Sequence, residues 1–178
     1  EETGVALSCP TGAEVSSAVE NLRATQSDNT RQAAAMVTDA IADGRRVFSF
    51  GASHSFMMSE EMVYRTGGLM LINPIYPQGM NLGVRPLPMT SALERLEGFG
   101  QILLQHSAAQ EGDVLILTST SGRNAVVLDM AVAAKEAGIR TIGITAMEYS
   151  QGVVSRHSTG KKLYELVDLV IDNCSPTA

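Results

Sequence analysis

Asp113–Gly138, DVLILTSTSGRNAVVLDMAVAAKEAG, is the stretch on which the fold turns. Its unbroken apolar run, Asp113 to Thr118, predicts a strand buried on both faces, as in a parallel sheet. Ser119, Thr120, Ser121, Gly122, Arg123 and Asn124 then crowd together before an alanine-rich helical run that stops at Gly138. A turn needs one or two such residues. A ligand that takes many hydrogen bonds at a helix N-terminus needs most of them.

The same rhythm recurs outward from this stretch. AAAMVTDAIADGRRVFSFGASHS has helical spacing through Ala34, Val37 and Ile41, a capping glycine at Gly44 and a strand from Val47 to Phe50. Upstream, Glu14 to Ala24 reads as a separate helix, with Ser27 or Asp28 placed to cap the next. Phe56 to Thr66 is predicted helical, stopped by Gly67-Gly68, with a strand at Leu69 to Ile72. Residues 73–90 hold four prolines and read as an extended loop, and Ser91 begins a helix through ALERLEGFGQILLQHSA that Gly98 and Gly100 weaken. TIGIT and LVDLVID complete five strands.

Continuously apolar strands alternating with helices imply a three-layer α/β/α, doubly wound sandwich on a five-stranded parallel sheet, flavodoxin-like in type. The 178 residues suffice for one domain. Its expected parts are a poorly ordered lead-in over 1–12, helices over 13–43 and a sheet core over 46–172. A net charge of −6 with only 13 scattered Lys and Arg argues against a nucleic-acid surface. No apolar run is long enough to span a membrane. Cys9 and Cys174 stand apart with no metal-ligand spacing, so the reading expects no metal, no cofactor and a reducing, cytoplasmic setting.

Ligands of such sheets bind beyond the carboxyl ends of the strands. The loops expected there are GASHS, STSGRN, TAMEYSQG and NCSP. Helix N-termini favour anions such as phosphate, and short hydroxyl side chains add donors without bulk. Ser119, Thr120, Ser121 and Asn124 from one loop, with Ser53, His54 and Ser55 from another, can converge on one anion. Alternatively Ser121 or Asn124 merely caps the next helix. Neither a GxGxxG fingerprint nor a Walker lysine is present.

Gly51-Ala52-Ser53-His54-Ser55 and Ser119-Thr120-Ser121-Gly122-Arg123-Asn124 resemble the two serine loops of the SIS (sugar isomerase) domain family, with Asn124 replacing the commoner threonine. The likeness runs from about Asn29 to Asp172. TSALERLEG, SGRNAV and SRHSTGKKLYE resemble a phosphoheptose-isomerase-like bacterial subgroup whose members run on beyond residue 178. The resemblance implies a phosphosugar ligand, a homodimer or homotetramer, and an aldose–ketose isomerase working through an enediol. It equally admits a non-catalytic sugar-phosphate sensor or an etherase-like lyase acting on an N-acetylmuramic acid phosphate.

Isomerisation needs a base between C1 and C2. Glu60 and Glu61 lie on the helix leaving GASHS, about 100° apart around it, so only one faces the crevice. By resemblance the base is Glu61, although an exposed Glu61–Arg65 pair fits the same spacing. Met57 stands where the isomerases carry a histidine. Glu94 and Glu97 share a helical face, either as etherase-like acids or as a solvated surface bridged by Arg95. SRHSTGKK offers His157 for proton relay or ring opening and Lys161 or Arg156 for phosphate, or else forms a basic surface turn. His106 reads as structural, and the nine methionines, including Met57, Met58 and Met62, as core filler.

Overall fold

The computed structural model describes residues 12–175. The lead-in expected over 1–12 therefore lies outside the described residues except for Gly12, which starts α1 (Gly12–Ala42). The chain continues through β1 (Val47–Gly51), α2 (Phe56–Met62), β2 (Ile72–Pro74), α3 (Pro88–Leu93) and α4 (Phe99–Gln105). Then follow β3 (Val114–Thr118), α5 (Ala125–Glu136), β4 (Arg140–Thr145), α6 (Met147–Gly152) and β5 (Leu169–Asp172).

All five strands are parallel, in the order β2-β1-β3-β4-β5. The winding direction reverses between β1 and β3, so the switch point lies beyond Gly51 and Thr118. Alternation along the strands divides the core in two. Phe48, Phe50, Leu115 and Leu117 pack toward α5, whereas Val47, Val114 and Ile142 pack against Ala33, Met36, Val37 and Ala40 of α1.

Three local departures from the sequence reading have identifiable causes. α1 is a single helix of 31 residues because neither Gly nor Pro interrupts residues 13–43. Ser27 does not cap: its hydroxyl donates back to the Arg23 carbonyl, and Asp28 pairs with Arg31. The helix expected through residues 92–108 is divided. Gly98 adopts φ +84° ahead of α4, while the Glu94 carbonyl leaves its own helix to accept from the Val126 amide at 3.1 Å. The strand expected at Leu69 to Ile72 begins only at Ile72, and Leu69, Met70 and Leu71 are exposed.

The methionine expectation also needs correcting. Met57 and Met58 are exposed, and the buried methionines are Met80 and Met130. Met80 has a further task, because its carbonyl accepts from the Ser53 amide at 2.7 Å and ties the proline-rich loop to the first serine loop.

Candidate functional site

A crevice of about 290 Å³ opens at the switch point, between the loops that leave β1 and β3. The β1 loop curls tightly over its strand. A Cβ on Gly51 would lie 2.4 Å from the Ser55 carbonyl oxygen, so only glycine lets the chain turn back there. Ser53 sits at φ +55° at the head of a single 3₁₀ turn, Ser53–Ser55, that leads into α2. Ser53, His54 and Ser55 all line the crevice.

The β3 loop forms the facing wall. The Ser119 amide continues the ladder to the Ile144 carbonyl, and the Ser119 hydroxyl accepts from the Gly122 amide at 3.2 Å. Gly122, at φ +58°, leaves room for the Ser150 and Thr145 hydroxyls, which a Cβ would approach to 2.9 and 3.2 Å. Among the described residues no acceptor meets the Thr120 and Ser121 amides. The Thr118 hydroxyl, in the crevice wall and 6% exposed as a residue, also lacks a partner there. These donors stand at the N-terminus of the 12-residue α5, where the peptide dipoles favour an anion.

Asn124 occupies the N-cap position of α5 without capping it. Its carboxamide instead bridges two charged groups. Nδ2 donates to Glu94 Oε2 at 2.6 Å, and Oδ1 accepts from Arg156 at 3.0 Å. Glu94 lines the crevice, and burial raises its pKa above the ordinary 4.5. Arg156, Arg95, the Ser53 hydroxyl and Asn124 oppose that shift only in part. Arg156 is fixed by its backbone as well, since its amide donates to the Arg123 carbonyl at 2.9 Å.

The sequence-predicted residues therefore fall into two sets. Ser53, His54, Ser55, Ser119, Thr120, Ser121 and Asn124 are brought together around one crevice. Glu61 stands elsewhere: it is exposed, paired with Arg65, and lines a separate apolar cavity of about 490 Å³ on the α1 face of the sheet. Glu97 is exposed and accepts from the Ser158 amide at 2.7 Å, and hydrogen bonding from the Ser158 side chain first, then from its amide, lowers the Glu97 pKa. Lys161 is exposed and does not line the crevice, whereas Arg156 from the same segment does. Of the fourth flagged loop, Cys174 and Ser175 line a different polar cavity.

The His157 side chain is buried and does not line the crevice. The Thr159 amide donates to Nδ1 at 3.1 Å, so the proton sits on Nε2 and is directed at Asp129 Oδ1, 3.0 Å away. Both side chains are 8% exposed. Asp129 also accepts from the Gly100 amide, which ties α4, α5 and the segment carrying Arg156 into one unit. His157→Ala leaves the Asp129 carboxylate short of a donor and is expected to cost about 2 kcal/mol in chemical denaturation. A change below a few tenths would show that the contact does not stabilise the fold.

Tyr149 and Arg123 also line the crevice. Their loops stand out in the sequence, but neither side chain does. Among the described residues no cluster of His, Cys, Asp and Glu could hold a metal ion, and no helix is long and apolar enough to cross a membrane.

Comparison with known proteins gives a consistent picture. A family model described as a SIS domain matches residues 12–146. A UPF0309 protein of Shouchella clausii is 49% identical over 142 residues, which cover 80% of this chain and 58% of that protein. A UPF0309 protein of Oceanobacillus iheyensis is 49% identical over 141 residues, covering 79% and 57%. The chain thus spans less than two thirds of the length of these curated relatives. In three dimensions it superposes on a phosphoheptose isomerase from Neisseria gonorrhoeae with a TM-score of 0.67 at 18% identity, covering 93% of this chain and 84% of that one. For a phosphoheptose isomerase from Francisella tularensis the values are 0.63, 16%, 90% and 81%. At such identities the likeness is one of fold.

Proposed function

This chain belongs to the SIS domain family, and we propose that its crevice binds a sugar phosphate and isomerises it through an enediol. The phosphate rests on the amides of Thr120 and Ser121 and the hydroxyls of Ser53, Ser55, Ser119 and Ser121, at the N-terminus of α5. Neutral donors at a helix N-terminus hold a phosphate oxyanion without burying a counter-charge.

The observation that carries the catalytic part is Glu94: a carboxylate in the wall of a hydroxyl-rich crevice, with its pKa raised by burial. A general base is most effective when its pKa lies near the working pH. Glu94 accepts the proton from C2 of the open-chain sugar and returns it to C1, while a proton passes between the two oxygens. The Asn124 carboxamide holds the Glu94 carboxylate through Nδ2 and the Arg156 guanidinium through Oδ1. Arg156 steadies the enediolate oxygen. In this proposal Glu94 takes the role that resemblance gave to Glu61, because Glu61 lines the other cavity. His157 acts through Asp129 as a positioning group for the Arg156 segment.

The test is wash-in of solvent deuterium at C2 of a bound hexose or heptose phosphate. Exchange supports isomerisation, whereas binding without exchange supports a sensor and removes the catalytic reading.

Two pH effects follow from the raised Glu94 pKa. The base works ionised, so the acid limb of kcat/KM is expected above the ordinary 4.5. A limb at or below 4.5 contradicts the assignment. For stability, the folded chain keeps this proton where the unfolded chain has lost it. Folding is therefore favoured below 4.5 and loses that advantage as pH rises through the folded pKa. Glu94→Gln, which cannot ionise, is expected to lose less stability between pH 4 and pH 7 than the unmodified chain in denaturant titrations. Equal loss in both rules out the raised pKa.

A further inference from the structure

The crevice holds more positive charge than one phosphate on neutral donors requires. Arg123 and Arg156 both line it, and Arg95 stands close enough to act on Arg156 electrostatically. Among the described residues none of these three forms an ion pair, whereas Arg31, Arg46 and Arg65 each pair with a carboxylate. Among the described residues the Arg156 guanidinium donates only to a neutral amide oxygen, that of Asn124. Arg156 lies below its ordinary pKa through burial and then through repulsion from Arg123 and Arg95. Three like charges thus crowd one rim of a chain whose net charge is −6.

Glu94 is the carboxylate among the crevice-lining residues, and burial weakens its negative charge at the low end of its titration. It does not balance three guanidinium groups. Crowded cations are tolerated where an incoming anion neutralises them, and the planar guanidinium fork suits a carboxylate or a phosphate. Glu94, which attracts Arg156 and Arg95, is the one carboxylate among the crevice-lining residues that answers them.

We propose that the ligand is a sugar phosphate carrying a second anionic group, with one phosphate on the serine cradle and the second anion between Arg123 and Arg156. This rests on the reading of the crevice as a sugar-phosphate site. It adds a demand on the ligand that the serine loops alone do not make. The serine cradle, Arg123 and Arg156 all line the same crevice of about 290 Å³.

Three ligands that share one ring test it by calorimetry at low ionic strength: glucose 1-phosphate, glucuronate 1-phosphate and glucose 1,6-bisphosphate. They differ only at C6, as a hydroxyl, a carboxylate and a phosphate. At least one of the two ligands with a second anionic group is expected to bind tenfold or more tighter than glucose 1-phosphate, and which one identifies the second anion. Arg123→Met is expected to abolish that preference while glucose 1-phosphate still binds, and Arg123→Lys to restore part of it. Equal affinity for all three overturns this proposal and leaves the sugar-phosphate reading standing. No binding by any of them, together with none by inorganic phosphate, overturns both.

Discussion

Replacing Glu94 by Gln is expected to reduce C2 deuterium exchange by about 10²–10⁴-fold, the usual worth of a positioned general base. The substitution keeps the shape of the side chain and an acceptor for Asn124, so the carboxamide bridge to Arg156 persists. Ligand affinity is accordingly expected to change by less than about tenfold, which confines the loss to turnover. Glu61→Gln, made in parallel, breaks the pair with Arg65 on the α1 face and leaves the crevice intact. If Glu61→Gln abolishes exchange and Glu94→Gln does not, the base has been assigned to the wrong residue.

Gly100→Ala is expected to be among the most damaging single substitutions in the chain. A Cβ at this position would lie 1.9 Å from the Val126 carbonyl oxygen and 2.9 Å from the Asp129 Cβ. The neighbouring atoms include the backbone of α5, so the clash cannot be relieved by turning a flexible side chain. Either α4 moves away from α5 or α5 moves off the sheet. A loss of about 4 kcal/mol is expected, in the exceptional range for one substitution, and for a chain of this length it lowers Tm by roughly 8–16 °C. Because α5 carries the serine cradle at its N-terminus, phosphate affinity falls with it. Gly152→Ala, where nothing lies within 4 Å of the added carbon, is the control and is expected to be nearly silent.

The contrast between these two glycines shows what local sequence does and does not carry. Asp113 to Gly138 was legible because three signals agree there: an unbroken apolar strand, a run of short polar residues and an alanine-rich helix closed by Gly138 at φ +68°. Gly98 and Gly100 read as weak points of one helix. They are in fact the bend between two helices and the close approach of α4 to α5, and the second depends on Val126 and Asp129, about 30 residues away. Ser27 and Asp28 carry the composition of a cap but lie inside an uninterrupted helix, where they bond to residues three and four positions back or ahead.

The site divides along the same line. The serine loops were legible because strand-to-helix loops of a parallel sheet gather at its carboxyl end whatever the side chains do. The carboxylate was not, since several acidic residues had plausible spacing. Only the tertiary fold turns Glu94 toward Asn124 and Ser53 while leaving Glu61 with Arg65. Lys161 and Arg156 were equally eligible in the basic segment. The backbone bond from Arg156 to the Arg123 carbonyl is what selects the arginine.

The most direct test of the central claim is thermal unfolding of the chain with a panel of hexose, amino-sugar, N-acetylmuramic and heptose phosphates, run beside Ser121→Ala. A ligand at a hundred times its Kd stabilises the folded state by about 2.7 kcal/mol, a rise of roughly 5–11 °C at this length. The account predicts such a rise with at least one phosphosugar, none with the matching unphosphorylated sugar, and most of it lost in Ser121→Ala. A flat response across the panel, or a rise that Ser121→Ala leaves unchanged, would contradict it.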